Sequence, residues 1–166
     1  QAASDVPAHV FERFYETEPF EWAKRKDGCA IGETGTRNLT LTTCEFYDGF
    51  NEFEITSNDT TPVGDTFDTY CTTTQEATGA AAWDNDNFCD AGTLTSLTAS
   101  KYANLFIYVE MDDMFVIVYG NDQFTTLAGA EAESNPTTIP DRLQIHGKLI
   151  SRLTFQKGGG TALSIT

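Results

Sequence analysis

The side chains in this sequence that could do chemistry are mostly carboxylates, and their spacing limits what they could do. Asp84, Asp86 and Asp90 fall close together in Trp83-Asp-Asn-Asp-Asn-Phe-Cys-Asp90 and offer the oxygen ligands that calcium takes. The segment lacks the mid-loop glycine and the closing glutamate of the known calcium-binding loop. The expectation is therefore a polar loop pinned by Cys89, with calcium held by Asp84, Asp86 and Asp90 as the alternative and no cofactor otherwise. Glu45, Glu52 and Glu54 form a second group. Asp48-Gly49 between alternating runs is a strong hairpin signal. A two-residue loop there pairs Tyr47 with Phe50, Glu45 with Glu52 and Cys44 with Phe53. One face then carries Phe46, Cys44, Phe53 and Ile55, and the other carries the glutamates, either as a solvated face or around a bound cation or amine.

Catalytic signatures are absent: there is no nucleophile elbow, phosphate loop or HExxH. His9 stands near the N-terminus. His146 stands among Arg142, Gln144, Lys148 and Arg152, where a solvated histidine is the plain reading. Carboxylates are so plentiful that no pair stands out as a glycosidase couple. The expectation is a binding protein with no catalytic residues. Cys29, Cys44, Cys71 and Cys89 allow three disulfide pairings, and their spacing is not that of a zinc site.

The elements that position these groups read as strands. Leu105–Tyr119 (LFIYVEMDDMFVIVY) holds two aromatic and β-branched runs around Asp112-Asp113, the pattern of a hairpin. If only the two aspartates form the loop, Val109 faces Val116 and Ile107 faces Val118, although a longer loop would shift this register. Both faces are apolar, Glu110 being the charged exception, so both need cover. Residues 66–74 alternate as a strand, 75–82 are featureless, and 91–100 and 161–166 each offer room for a short strand. Residues 121–140 read as loop or broken helix. Arg142–Phe155 alternates more cleanly as a strand than as a helix, since Gly147 would sit mid-helix at a cost of about 1 kcal/mol. Near the start, Phe11, Phe14 and Tyr15 have helical spacing, and Trp22 follows as a core plug or ligand-stacking ring.

Composition bounds the rest. A chain of 166 residues, 40% hydrophobic, has material for one domain with a sizeable core, residues 1–10 forming a loose arm. No apolar run approaches the roughly 20 residues needed to span a bilayer. Net charge is −15, and from Asn38 to Asp141 the only basic residue is Lys101. A nucleic-acid partner is excluded for want of a basic face. An even cysteine count and the sequons Asn38-Leu-Thr40 and Asn58-Asp-Thr60 point to an acidic, secreted, disulfide-bonded glycoprotein whose leader has been removed.

Residues 11–26, an aromatic-rich short helix leading into Phe20-Glu21-Trp22, resemble the opening of a lipocalin, in the broad calycin sense that includes salivary lipocalins of blood-feeding arthropods. The stretch Ile107–Tyr119, turning at Met111-Asp112-Asp113, resembles that family's central hairpin. The family's Gly-x-Trp is not intact, because Phe20 stands two before Trp22. The resemblance implies an all-β fold: a single antiparallel barrel with a short N-terminal helix, carrying or sequestering a small hydrophobic or amphipathic ligand in its cavity. The implied lining is Trp22, Phe53, Ile55, Phe67, Ile107, Tyr108, Val109, Val116 and Val118, with Glu52 and Glu54 available to a cationic amine. The competing expectation is a β-sandwich or jelly roll binding carbohydrate through calcium at Trp83, Asp84 and Asp86. A structural protein with a host or other extracellular protein partner is a third.

Overall fold

Alternation becomes strand in most places where it occurs. In chain order the strands are β1 (Lys24–Gly28), β2 (Ile31–Thr34), β3 (Asn38–Leu41), β4 (Cys44–Asp48), β5 (Asn51–Ile55), β6 (Asn58–Asp59), β7 (Phe67–Cys71), β8 (Thr74–Ala80), β9 (Asn87–Asp90), β10 (Thr93–Ser96), β11 (Tyr102–Glu110), β12 (Phe115–Tyr119), β13 (Gly147–Gln156) and β14 (Ser164–Ile165). Among the described residues two short helices, α1 (Leu127–Glu131) and α2 (Asp141–His146), accompany the strands. This computed structural model describes residues 24–48, 51–61, 64–110 and 115–166. The expected N-terminal arm and helix, His9, Trp22 and the Asp112-Asp113 turn lie outside the described residues, as do the side chains of Glu52, Phe53 and His146.

The class is all-β. Six strands form the main sheet in the order β14-β13-β11-β12-β7-β8. Its neighbours are antiparallel except β12 and β7, which run parallel. Among the described residues the sheet stays open and does not close into a barrel. Three smaller sheets accompany it: β1-β4-β5, β2-β3-β6 and the hairpin β9-β10.

The double-apolar ribbon has cover on both sides. Ala103, Leu105, Ile107 and Val109 of β11, with Phe115 and Ile117 of β12, belong to a large core that also takes Leu39, Leu41, Phe46, Ile55, Phe67, Trp83, Phe88 and Phe155. Phe106, Tyr108, Val116 and Val118 belong to a second core, closed by Tyr70 and by Leu143 of α2. Each fully buried aliphatic or aromatic side chain contributes about 1.5–3 kcal/mol. The two disulfides are Cys29–Cys44, beside the β1–β4 pairing, and Cys71–Cys89, which ties the main sheet to the β9-β10 hairpin.

Four local expectations are corrected. The ribbon pairs Ile107 with Ile117 and Tyr108 with Val116, one residue away from a two-residue loop. Because strand side chains alternate, this moves Val116 and Val118 to the face opposite Ile107 and Val109. The β4–β5 hairpin pairs Asp48 with Asn51 and Glu45 with Glu54. That shift is two residues, so the facing sets are kept. Residues 38–46, the alternating run that precedes Asp48-Gly49, do not form one strand. Leu39 and Leu41 are buried, and so are Cys44 and Phe46, an odd set and an even set that unbroken alternation cannot place on one side. The chain breaks at exposed Thr42 and Thr43 to re-phase them. Finally, residues 142–155 are helix and then strand, divided at Gly147. A Cβ there would lie 2.6 Å from Leu143 Cδ2 and 2.7 Å from Leu143 Cα, so only glycine lets the strand leave so close to the helix.

Candidate ligand groove and its buried charge cluster

The structure splits the residues expected to line one cavity. Ile55, Phe67, Ile107 and Val109 lie in the large core, all at most 4% exposed, whereas Tyr108, Val116 and Val118 lie across the sheet in the second core. The main sheet itself separates the two groups. Glu54 is exposed on the β4–β5 hairpin, away from both cores. Of the candidate calcium residues, Asp84 is engaged with protein groups. Asp84 accepts hydrogen bonds from Tyr119 Oη (2.9 Å), Asn87 Nδ2 (2.7 Å) and the Asp86 amide (2.8 Å). Asp86 and Asp90 are exposed, Asp90 being paired with Thr93 in the hairpin. Trp83 is fully buried against Phe155, with ring centroids 5.3 Å apart, and donates through Nε1 to Glu33, so neither ring face is open to a sugar. Among the described residues no group of three His, Cys, Asp or Glu side chains is arranged to hold a metal ion.

The sequence left one charge in the apolar ribbon, Glu110, and its partner is Arg142. Pro140 and Asp141 open α2, and the helix turns Leu143 into the second core while Arg142 lies alongside the sheet. Arg142 donates to both carboxylate oxygens of Glu110, through Nε at 2.8 Å and through a terminal nitrogen. Its other terminal nitrogen reaches Asp68 Oδ2 at 3.3 Å and Tyr70 Oη at 3.5 Å. Asp68 and Glu110 are buried, so the guanidinium is what makes their charges tolerable there. The Glu110 hydrogen bond in turn raises the Arg142 pKa above its ordinary value, with burial opposing. Nearby, burial pushes the Tyr108 phenol up to about 12. This cluster clamps α2 to the sheet. Glu110 was a sequence signal for it, because a lone charge in a buried strand demands a partner.

Along the outer side of β13 lies an open groove of about 310 Å³, lined by Asn135, Leu149, Ile150, Ser151, Arg152 and Thr166. A bulge in β13, where Leu149 and Ser151 oppose the consecutive residues Tyr108 and Ile107, leaves Ile150 without a partner in the ladder. Thr166 borders the groove by exchanging backbone hydrogen bonds with Arg152 and accepting one from Ser151 Oγ. Arg152 donates to the Glu133 carbonyl at 3.3 Å and to Thr166 Oγ1 at 3.4 Å, while its Nε is buried without a partner. The Glu133 carboxylate is turned elsewhere, to Asn104 Nδ2 (2.6 Å) and the Asn121 amide (2.7 Å). Sequence reasoning missed this site because it depends on which strand β13 borders and where it bulges. Neither a protein-family model, nor a curated protein, nor a solved structure matches the chain.

Proposed function

We propose that the protein is an extracellular binding protein for a small amphipathic molecule, held in the groove beside β13 and not within the sheet. The observation that carries this reading is the meeting of two surfaces in one concavity: apolar Leu149 and Ile150, and the polar set Ser151, Arg152, Asn135 and Thr166. Ligand sites combine an apolar wall with a few polar groups that fix orientation, and about 310 Å³ falls at the small end of their usual volumes. Arg152 supports the reading, since its terminal nitrogens hold only long bonds, at 3.3 and 3.4 Å, to neutral oxygens. Two disulfides support an oxidising, extracellular setting.

Native mass spectrometry of protein purified from a eukaryotic secretion host tests the proposal. A co-purified small molecule, lost on substituting Ile150 with Asp, is the expected result. An adduct that survives Ile150→Asp would place the ligand elsewhere.

A further inference from the structure

Arg152 differs from Arg142 in one respect that bears on what the groove would hold. Arg142 is matched by Glu110 and Asp68. Among the described residues no carboxylate comes within ion-pair distance of Arg152, and its two hydrogen bonds, at 3.3 and 3.4 Å, go to neutral oxygens. A guanidinium carries five N–H donors. In a chain with 25 acids and 10 bases, a partly buried guanidinium left without a carboxylate is unusual. Its surroundings add to this. From Asn38 to Asp141 the sequence holds a single base, whereas Arg142, Lys148, Arg152 and Lys157 fall within the next sixteen positions. The C-terminal segment is thus a part of this acidic molecule where an anion meets less repulsion than across residues 38–141.

Resting on the groove reading above, we infer that the ligand is an amphipathic carboxylate, its head group bound by Arg152 and its apolar part lying on Leu149 and Ile150. The planar guanidinium fork matches a carboxylate through two parallel hydrogen bonds, which an alcohol or an amine cannot reproduce. The two terminal nitrogens, exchanging their long bonds to neutral oxygens, supply the donors. Ser151 and Asn135 line the same groove.

The test is a titration of the full ¹⁵N-labelled chain with octanoate, octanol and octylamine, read by amide and arginine Nε–H chemical shifts. Octanoate is expected to shift the amides of Leu149, Ile150, Ser151 and Arg152 together with the Arg152 Nε–H, and to bind about tenfold more tightly than octanol, as a charge-assisted pair would give. Arg152→Gln is expected to remove that preference, weakening octanoate far more than octanol. Should that variant not fold, Arg152→Lys, which keeps the charge without the fork, is expected to reduce the preference, and in the wild-type chain the preference should vanish below the pKa of octanoic acid. Equal binding of octanoate and octanol, or preference for octylamine, would overturn the carboxylate inference and leave the groove reading standing. No shift at the groove with any of the three would overturn both.

Discussion

Arg142 and Glu110 form a two-pronged ion pair that fastens α2 to the middle strand of the main sheet, with Glu110 buried beneath it. Asp68 and Tyr70 on β7 complete the ring of acceptors, so one side chain bridges β11, β7 and the helix. Substituting Arg142 with Leu leaves two buried carboxylates without their cation. The expected cost is about 3 kcal/mol, since breaking a buried pair leaves an uncompensated charge. Urea denaturation measures it, and Glu110→Gln combined with Arg142→Leu should cost less than the sum of the two single changes. Strict additivity would mean that the pair is not coupled.

Tyr108 sets a pH limit at the alkaline end. Its phenol is held up to about 12 in the fold against about 10 when exposed. A group whose folded pKa is raised gives its full stabilisation below the unfolded value and loses it as pH rises through the folded value. Stability should therefore fall between pH 10 and 12, less steeply in Tyr108→Phe. Absorbance at the phenolate band should show Tyr119, raised further by burial and by Asp84, ionising only as the fold is lost. Titration of every tyrosine near pH 10 in folded protein would contradict this.

Glu133 works in the same sense at the acid end. Burial raises its pKa, although the Asn104 and Asn121 hydrogen bonds oppose the shift. The protonated form is favoured in the fold, so its contribution is complete at low pH and declines as pH rises past the ordinary carboxylate range. Carbonyl NMR titration should give Glu133 a midpoint above the ordinary carboxylate value.

Gly147 marks the helix-to-strand switch. Gly147→Ala forces a methyl against Leu143, close to both its backbone and its side chain. A loss of about 1–3 kcal/mol is expected, the usual range for overpacking. Thermal unfolding would check it, and an unchanged midpoint would mean that the helix yields freely.

The two sequons should behave differently. The Asn38 side-chain nitrogen, where a glycan would attach, is buried and donates to the Thr60 and Ala81 carbonyls. Asn58 is only partly buried. Peptide mapping of protein secreted from a eukaryotic host should find Asn38 bare, and a glycan there in folded protein would contradict the fold.

The sequence alone settled the matters that depend on near neighbours in the chain. Alternating aromatic and β-branched residues made the class all-β, and the double-apolar ribbon of β11 and β12 required cover on both faces. Glu110 stood out in that ribbon as the one charge, with no partner legible beside it. Tertiary structure decided whatever turns on register and on distant partners. One residue of slip in the β11–β12 register put Val116 and Val118 across the sheet from Val109. β8 went unseen because it is an exposed edge, held to β7 by main-chain hydrogen bonds that leave no hydrophobic pattern. Arg142 and Arg152 look alike in sequence, ten positions apart, and only the fold gives the first two carboxylates and leaves the second without one among the described residues. Side-chain alternation is written locally, whereas pairing between strands is fixed by the packing of the whole.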